Sequence, residues 1–180
     1  MVSDINKAVF LDRDGVINRS FVRDGKPYPP QTLEELEILP GVVEGVSLLR
    51  QRGWLIVVVT NQPDVANGIQ ERGVVEAMHN YLRRSLAIDM IRVCFHADRD
   101  NCSCRKPKPG MLLEAAGDLE IDLQESIMVG DRWRDIEAGR AAGCKTVLVK
   151  STYDERQADS PDLVVNSLIE AVNPILQQSF

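Results

Sequence analysis

The sequence lacks a long hydrophobic run and a secretory leader. A membrane-spanning helix needs about 20 consecutive apolar residues, and no stretch of the chain provides them. Residues 1–7 also lack the basic start, apolar centre and small-residue cleavage site that define a signal peptide. These two absences lead us to expect a cytoplasmic protein that has no membrane partner.

Positive charge is in short supply, because 21 lysines and arginines face 27 aspartates and glutamates, for a formal net charge of -6. Proteins that bind nucleic acid by neutralising its backbone phosphates carry the opposite balance. We therefore expect no nucleic-acid partner, and any anionic ligand must meet a local cluster of positive charge. Basic residues cluster at 105–108 and again at 132–134.

Low-complexity tracts and internal repeats are absent as well, while hydrophobic residues make up 44% of the chain. That composition is typical of a folded globular protein. A length of 180 residues suits one domain with its own core. We predict a single domain over residues 1–180 that folds without a partner chain and acts as a monomer.

Apolar runs alternate with segments of helical period along the chain. This pattern predicts an α/β fold, with a parallel sheet covered by helices on both faces. The predicted strands are residues 8–11, 54–59, 91–95, 126–129 and 145–149, with a short edge strand at 163–165. The predicted helices lie between Gly41 and Gly53 and at 74–86, 110–119, 135–142 and 167–177. Residues 24–30 hold three prolines and a glycine, which predicts a loop placed as a flap over a ligand site.

Two aspartates, Asp12 and Asp14, follow the first predicted strand directly and precede Gly15. In open α/β sheets, ligands bind at the carboxyl ends of the strands. Neighbouring carboxylates repel each other unless a cation lies beside them or one is protonated, and the hard cation Mg²⁺ suits the first case. One carboxylate can attack phosphorus while the other transfers a proton. An isolated Asp-x-Asp-Gly is also a common turn, so the interpretation depends on its surroundings.

Three further polar segments fall at the same edge of the predicted sheet or just ahead of a helix. They are Thr60-Asn61-Gln62 after the second strand, Arg105-Lys106 before a helix, and Gly130-Asp131 after the fourth strand. Hydroxyl and amide groups can hold a phosphoryl group, and a fixed ammonium can neutralise its charge. Taken singly, Thr60 is as well explained by a turn or a helix cap, and the basic run by a solvated surface.

Four potential metal ligands of another kind lie close together, in Cys94-x-His96-x5-Cys102-x-Cys104. Three thiolates and one imidazole are the number and type that tetrahedral zinc prefers, and four protein ligands make such a site structural. A zinc-binding loop over residues 94–104 would hold the segment that carries the basic run. The alternatives are a disulfide, which leaves one of the three cysteines unpaired, and free thiols.

The remaining cysteine and histidine lie outside these motifs. Cys144 precedes an apolar predicted strand, so we expect a small core residue there. His79 lies in a helical pattern with polar neighbours, so we expect its side chain to be exposed to solvent.

The polar segments occur in the order of the four motifs of the haloacid dehalogenase (HAD) superfamily, which this sequence resembles from Val9 to Val149. The resemblance implies a three-layer Rossmann-like fold with a central, mainly parallel sheet. It also implies that Asp12 is the nucleophile of a phosphatase and that Asp14 is its general acid and base. Mg²⁺ would be held by Asp12, the backbone carbonyl of Asp14, and Asp131.

The same resemblance assigns roles to the other polar residues of the motifs. Thr60 and Asn61 would contact the phosphate, and Lys106 would neutralise its charge. Arg105 would add a forked contact to the phosphate or to hydroxyl groups. Asp135 is expected to orient its loop or to cap the next helix.

The segment after the zinc motif narrows the resemblance. Cys104-Arg105-Lys106-Pro107-x-Pro109-Gly110-Met111 is similar to the group of D-glycero-D-manno-heptose 1,7-bisphosphate phosphatases and histidinol-phosphate phosphatases, which lack a large cap domain. The Pro109-Gly110-Met111 ending favours the heptose branch, so the resemblance implies a small phosphorylated sugar as substrate. Two segments depart from that branch. Residues 63–68 lack the arginine of its Ser-Gly-Ile-Ala-Arg-Gly, and the flap at 26–30 differs.

Two other functions stay open on the sequence alone. One is the hydrolysis of histidinol phosphate or of another small phosphorylated metabolite. The other is a receiver-like signalling module, which would keep a phosphate on Asp12. Asp14 discriminates between enzyme and module, because a protein that must keep its phosphate gains nothing from a positioned general base.

Overall fold

A computed structural model describes residues 6–180, so residues 1–5 of the predicted domain and of the segment tested for a leader lie outside the described residues. The strands are β1 (Ala8–Leu11), β2 (Phe21–Arg23), β3 (Lys26–Tyr28), β4 (Leu55–Asn61), β5 (Met90–Cys94), β6 (Ile127–Gly130), β7 (Lys145–Val149) and β8 (Leu163–Val165). The helices are α1 (Val42–Gln51), α2 (Pro63–Ala66), α3 (Arg72–Ser85), α4 (Gly110–Leu119), α5 (Trp133–Ala142) and α6 (Leu168–Gln177). No helix within residues 6–180 combines the length and the apolar character that crossing a bilayer requires.

Six strands form one parallel sheet in the order β5-β4-β1-β6-β7-β8. The chain moves from β1 outward through β4 and β5, and then crosses back to β6 on the other side of β1. Strand order therefore reverses beside β1. Ligand clefts of open α/β sheets form outside the carboxyl ends of the strands at such a reversal.

The sheet is buried on both faces, which explains why its strands are continuously apolar. Val9 and Leu11 of β1 belong to a core that also contains buried residues of α1, α3 and α6. Ala8 and Phe10 point to the opposite core, which contains buried residues of α4 and α5. The predicted three-layer α/β arrangement is confirmed, and the main sheet is parallel throughout.

Most predicted elements match the structure closely. The strands at 8–11, 145–149 and 163–165 and the helix at 110–119 have the predicted bounds. Longer shifts occur at the ends that carry polar residues: the strand predicted at 54–59 continues to Asn61, and the helix predicted at 135–142 begins at Trp133. Hydrophobic periodicity finds the apolar part of an element and misses its polar ends.

The prediction of a plain loop at 24–30 was wrong in part. Lys26–Tyr28 pairs with Phe21–Arg23 as an antiparallel hairpin around a turn at Asp24 and Gly25. Proline fits such a two-stranded ribbon, because an edge strand has positions whose N–H needs no partner. Pro27, Tyr28 and Pro29 line the cleft described below, as expected for a flap.

The environment of Cys144 was predicted correctly from the sequence, and that of His79 was not. Cys144 is 7% exposed and packs in the α4/α5 core. His79 was expected to be exposed but is only 3% exposed, because it lies on the face of α3 that carries the buried Val75 and Met78. Its polar sequence neighbours lie on the other face of the helix and do not report on its own environment.

Candidate active site

The predicted polar segments converge on one cleft at the carboxyl edge of the sheet. Asp12 follows β1, Asn61 ends β4, and Lys106 enters from the loop between β5 and α4. All three line the cleft, together with Asp14 and Asp135. The order of the strands therefore assembles residues that are far apart in the sequence.

Lys106 is the central cation of the site and is 2% exposed. Its ammonium donates to Asp12 Oδ1 at 2.8 Å, to Asp135 Oδ1 at 2.6 Å and to the Val59 carbonyl at 2.8 Å. An ammonium has three protons, so all of them are used. Burial by itself lowers the pKa of Lys106, but the charges of Asp12 and Asp135 outweigh it and raise the pKa above its ordinary value. Lys106 thus stays charged in the interior.

Three buried carboxylates lie together here, and the Lys106 ammonium pairs with two of them, Asp12 and Asp135. Asp12, Asp131 and Asp135 each place one oxygen within 4.8 Å of the others. Burial raises the pKa of Asp12 to about 6, against the effect of Lys106 and with a further rise from Asp135. Burial, followed by the charges of Asp12 and Asp135, raises the pKa of Asp131 well above its ordinary value. An excess of buried negative charge with oxygen donors is the environment that a hard divalent cation such as Mg²⁺ stabilises.

Asp131 carries the clearest mark of a cation site. Its Oδ1 is buried and has no hydrogen-bond partner among the described residues, whereas its Oδ2 accepts a hydrogen bond of 2.5 Å from the Tyr153 hydroxyl. An unpaired buried carboxylate oxygen is unfavourable by about 1–3 kcal/mol or more, so a positive ligand there relieves it. Gly15 makes this close packing possible, because a Cβ at that position would lie 1.9 Å from Asp131 Oδ2. Tyr153 was not predicted from the sequence, since a tyrosine 22 residues after Asp131 and outside the motifs gives no signal.

Asp14 differs from Asp131, because its two carboxylate oxygens together accept four hydrogen bonds. Arg13 donates from Nε to Oδ1 at 3.1 Å and from Nη2 to Oδ2 at 2.9 Å. Asn18 adds a bond of 2.9 Å to Oδ1, and Gln62 adds one of 2.8 Å to Oδ2. The carboxyl group still lines the cleft and is 16% exposed. The sequence predicted no role for Arg13 or Asn18, and it predicted Gln62 only as one of the amides that can hold a phosphoryl group, although all three stand within or beside the quoted motifs.

Thr60 and Asn61 lie at the end of β4, where they were expected. Thr60 is fully buried, and its hydroxyl accepts a hydrogen bond of 2.9 Å from Gln62. The Asn61 amide exchanges two bonds of 3.1 Å with the backbone of Lys106 while it lines the cleft. Asn61 therefore fixes the segment that carries the buried lysine, and its predicted contact with phosphate stays a prediction.

Arg105 was expected to contact the phosphate or hydroxyl groups of a substrate, but other arginines line the cleft. Arg105 donates to Asp98 Oδ1 at 2.7 Å and is absent from the cleft lining, whereas Arg132 and Arg134 are part of it. Arg132 is fixed by Glu155, with its Nε 2.8 Å from Oε1. Arg132 and Arg134 are thus the arginines that line the cleft, and the role of Arg105 stays a prediction.

Asp135 combines the two roles considered for it with a third. Its Oδ2 accepts a hydrogen bond of 3.0 Å from the Arg132 backbone at the start of α5, which is a helix cap. Its Oδ1 holds the Lys106 ammonium. The Gly130 backbone lies directly against it, since a Cβ there would be 2.0 Å from the Asp135 Cβ.

The cysteine and histidine ligands also form a compact cluster. The three sulfur atoms of Cys94, Cys102 and Cys104 lie 3.2 to 3.7 Å apart, and His96 Nδ1 is 3.3 Å from the Cys104 sulfur. Ligands about 2.3 Å from a tetrahedral zinc ion are about 3.7 Å apart, so the cluster has nearly the right size. None of these cysteines forms a disulfide. The donor set fits zinc.

The segment at 63–68 lacks the arginine of the heptose branch, but it still contributes residues to the cleft. Pro63 and Asp64 line the cleft. Asn67 instead accepts a hydrogen bond of 2.8 Å from Arg99, which belongs to the loop between β5 and α4. The rim of the cleft is therefore tied to that loop.

Comparisons with known proteins identify relatives that are similar over most of the chain. A HAD-hydrolase-like family model matches residues 103–171. The D-glycero-beta-D-manno-heptose-1,7-bisphosphate 7-phosphatase of Pseudomonas aeruginosa is 38% identical, over 94% of this chain and 97% of that protein. The enzyme of the same name from Pseudomonas putida is 41% identical over 83% of this chain and 86% of that protein.

Solved structures give the same result. The crystal structure of D,D-heptose 1,7-bisphosphate phosphatase from B. bronchiseptica, complexed with magnesium and phosphate, has a TM-score of 0.79 and 32% identity, and the match covers 96% of this chain and 99% of that one. A putative HAD-like phosphatase from Mesorhizobium loti has a TM-score of 0.75 and 29% identity, with coverages of 96% and 87%. By its sequence, its fold and its cluster of carboxylates around a buried lysine, the chain belongs to the HAD-like phosphatase family that contains the heptose-1,7-bisphosphate 7-phosphatases.

Proposed function

We propose that this protein removes the 7-phosphate from D-glycero-D-manno-heptose 1,7-bisphosphate by way of a phosphorylated Asp12, with Mg²⁺ in the acidic cluster. The observation that carries the proposal is the buried Asp12–Lys106–Asp135 arrangement beside an unpaired oxygen of Asp131. The substrate is inferred from the names of the relatives, which cover nearly the whole chain.

The first half of the reaction uses Asp12 and Asp14. A carboxylate oxygen of Asp12 attacks phosphorus, and the bond from phosphorus to the sugar oxygen breaks. Asp14 acts here in its protonated form, in which one of its four hydrogen-bond donors is displaced, and gives its proton to the departing oxygen, which leaves as a hydroxyl group. Lys106 holds one oxygen of Asp12 and favours its ionised form, which is the form that attacks.

The second half releases phosphate. Asp14 takes a proton from a water molecule, whose oxygen attacks the phosphorus of the aspartyl phosphate. The bond from Asp12 to phosphorus breaks, and both the carboxylate of Asp12 and the proton on Asp14 are restored. Thr60, Asn61 and Arg105 are proposed to contact the phosphate or the sugar, alongside the two arginines of the cleft.

Asp12, Asp131 and the backbone carbonyl of Asp14 would hold Mg²⁺. When bound, the ion neutralises charge on the transferring phosphate. Zinc at Cys94, His96, Cys102 and Cys104 would have four protein ligands and no open position, so its role is structural. A loop that binds zinc in this way would fix the backbone from which Lys106 enters the site.

The central test is the variant Asp12→Asn, which keeps the size of the side chain but removes the attacking oxygen. We expect Mg²⁺-dependent turnover of heptose 1,7-bisphosphate to disappear while the thermal transition is kept. Asp159→Asn, at an exposed position outside the cleft, is the matched control and should behave as the wild type.

Three results would contradict the proposal at different levels. Retained turnover in Asp12→Asn would remove Asp12 as nucleophile. A higher kcat/KM for histidinol phosphate than for heptose 1,7-bisphosphate would replace the substrate. An aspartyl phosphate that survives for minutes in the wild-type protein would favour the receiver-like module.

A further inference from the structure

Arg13 is a charged side chain in the interior of the protein. It stands between Asp12 and Asp14 in the chain and is 0% exposed. A buried guanidinium, which stays protonated in proteins, needs hydrogen-bonded partners that compensate for the loss of water. The described residues provide two such partners, the carboxylate of Asp14 and the imidazole of His79. Arg13 therefore connects the cleft with helix α3, which packs behind it.

The contact between Arg13 and His79 fixes the state of the imidazole. Arg13 Nη1 lies 3.1 Å from His79 Nε2. A guanidinium has only donors, so Nε2 must be the acceptor and the ring proton must be on Nδ1. A protonated imidazole would place two cations in contact away from water. In agreement, burial and then the charge of Arg13 lower the pKa of His79 to about 3, so the ring is neutral at pH 7.

The geometry of the guanidinium transmits this constraint to Asp14. Its atoms lie in one plane, so a bond at Nη1 fixes the direction of the fork formed by Nε and Nη2. That fork donates to both oxygens of Asp14, at 3.1 and 2.9 Å. A paired fork of this kind sets the plane of a carboxylate as well as its position. The two remaining donors, Asn18 and Gln62, then complete the arrangement.

We infer that His79 and Arg13 are positioning residues, which hold the Asp14 carboxyl group in the orientation needed for proton transfer to the leaving oxygen and from water. This inference rests on the proposed function, because it assigns Asp14 the role of general acid and base. His79 touches neither substrate nor nucleophile and acts only through Arg13. A displaced general acid or base lowers the rate of the chemical steps and leaves the binding of substrate nearly unchanged.

The test compares two replacements of His79. His79→Gln places an amide oxygen near the position of Nε2 and keeps an acceptor for Arg13, whereas His79→Leu removes the acceptor from a site of similar volume. For heptose 1,7-bisphosphate, we expect His79→Leu to lower kcat by about 10- to 100-fold with little change in KM. His79→Gln should restore most of the loss. A purely structural role would not distinguish the two by the presence of an acceptor.

A control separates positioning from loss of stability. Val75 is buried on the same face of α3, one turn before His79. Its side chain has no polar atom that could accept a hydrogen bond from Arg13. Val75→Ala should lower the thermal transition and leave kcat near the wild-type value. If Val75→Ala loses as much kcat as His79→Leu, the inference is overturned.

A double-mutant cycle tests whether His79 acts through Asp14. In an Asp14→Asn background, the residual turnover of p-nitrophenyl phosphate should fall no further when His79→Leu is added. A full additional loss would overturn the inference. The wild-type enzyme in the same assay tests the proposed function separately, since it must hydrolyse a phosphate ester whatever His79 does.

A measurement on the wild-type protein covers the case in which His79→Leu does not fold. Nitrogen-15 NMR at pH 7 should show a neutral His79 ring protonated at Nδ1, with Nε2 as an acceptor. The chain contains only one other histidine, so the assignment is simple. A proton on His79 Nε2 would contradict the inference without any variant.

Discussion

The acidic cluster and the thiol cluster show two ways of building a site from the same chain. Asp12 and Asp131 are more than a hundred residues apart and meet only because β1 and β6 are neighbours in the sheet. Cys94, His96, Cys102 and Cys104 lie within one loop of the sequence. The acidic cluster therefore depends on the completed sheet, whereas the thiol cluster depends on a short local segment.

Their environments differ as much as their origins. The three carboxylates are buried, and the Lys106 ammonium pairs with two of them, Asp12 and Asp135, so the excess negative charge of the cluster is confined to the interior. In the thiol cluster only Cys94 is buried, while His96 is exposed. This difference supports the proposed roles, which are catalysis for the acidic cluster and support of a loop for the thiol cluster.

The largest effect is expected from Lys106→Met, which removes the cation of the acidic cluster. Activity should fall by about 10³-fold or more, because Asp12 loses the partner that favours its ionised form and the phosphate loses a fixed charge. Steady-state turnover at saturating Mg²⁺ measures this loss. The control is Lys108→Met, two residues away but exposed, which should keep nearly full activity. Equal losses in the two variants would mean that the site does not depend on the buried ammonium.

An intermediate effect is expected from Cys102→Ser in the thiol cluster. Zinc content should fall from one ion per chain to a small fraction, and the thermal transition should move to lower temperature, because a zinc ligand is lost. Turnover should fall less than in Lys106→Met, since the loop is loosened but the lysine remains. Elemental analysis and calorimetry measure the two changes. Cys144→Ala, in the core and outside the cluster, should retain zinc; if it does not, the metal is bound elsewhere.

The smallest effect is expected from Tyr153→Phe, which removes the hydrogen bond to Asp131. This variant tests whether the tyrosine orients a carboxylate of the acidic cluster. The Mg²⁺ concentration at half activity should rise by about 10-fold, as is usual for partners of metal ligands. At saturating Mg²⁺ the turnover should approach that of the wild type. Tyr81→Phe, at an exposed position on α3, is the control. An unchanged Mg²⁺ dependence in Tyr153→Phe would show that the tyrosine does not orient Asp131.

Much of this protein was predictable because its signals are local. The apolar strands bracket the polar motifs, so Asp12, Thr60 and Asp131 were placed at the correct edge of the sheet from their positions alone. The hairpin at 21–28 was missed because prolines hide strand periodicity. His79 was misplaced because the helix face that it occupies depends on what packs there, and its immediate neighbours in sequence do not report this.

The sequence by itself determined the α/β fold, the order of the four motifs and the grouping of three cysteines and a histidine in one segment, since each depends on residue type and spacing within a short segment. Only the tertiary structure decided that Arg13 is buried against His79, that Tyr153 reaches Asp131, and that Arg132 and Arg134 face the cleft while Arg105 turns to Asp98. These contacts join segments that are separate in the chain. Their partners are chosen by the packing of helices and loops around the sheet, which residue spacing does not encode.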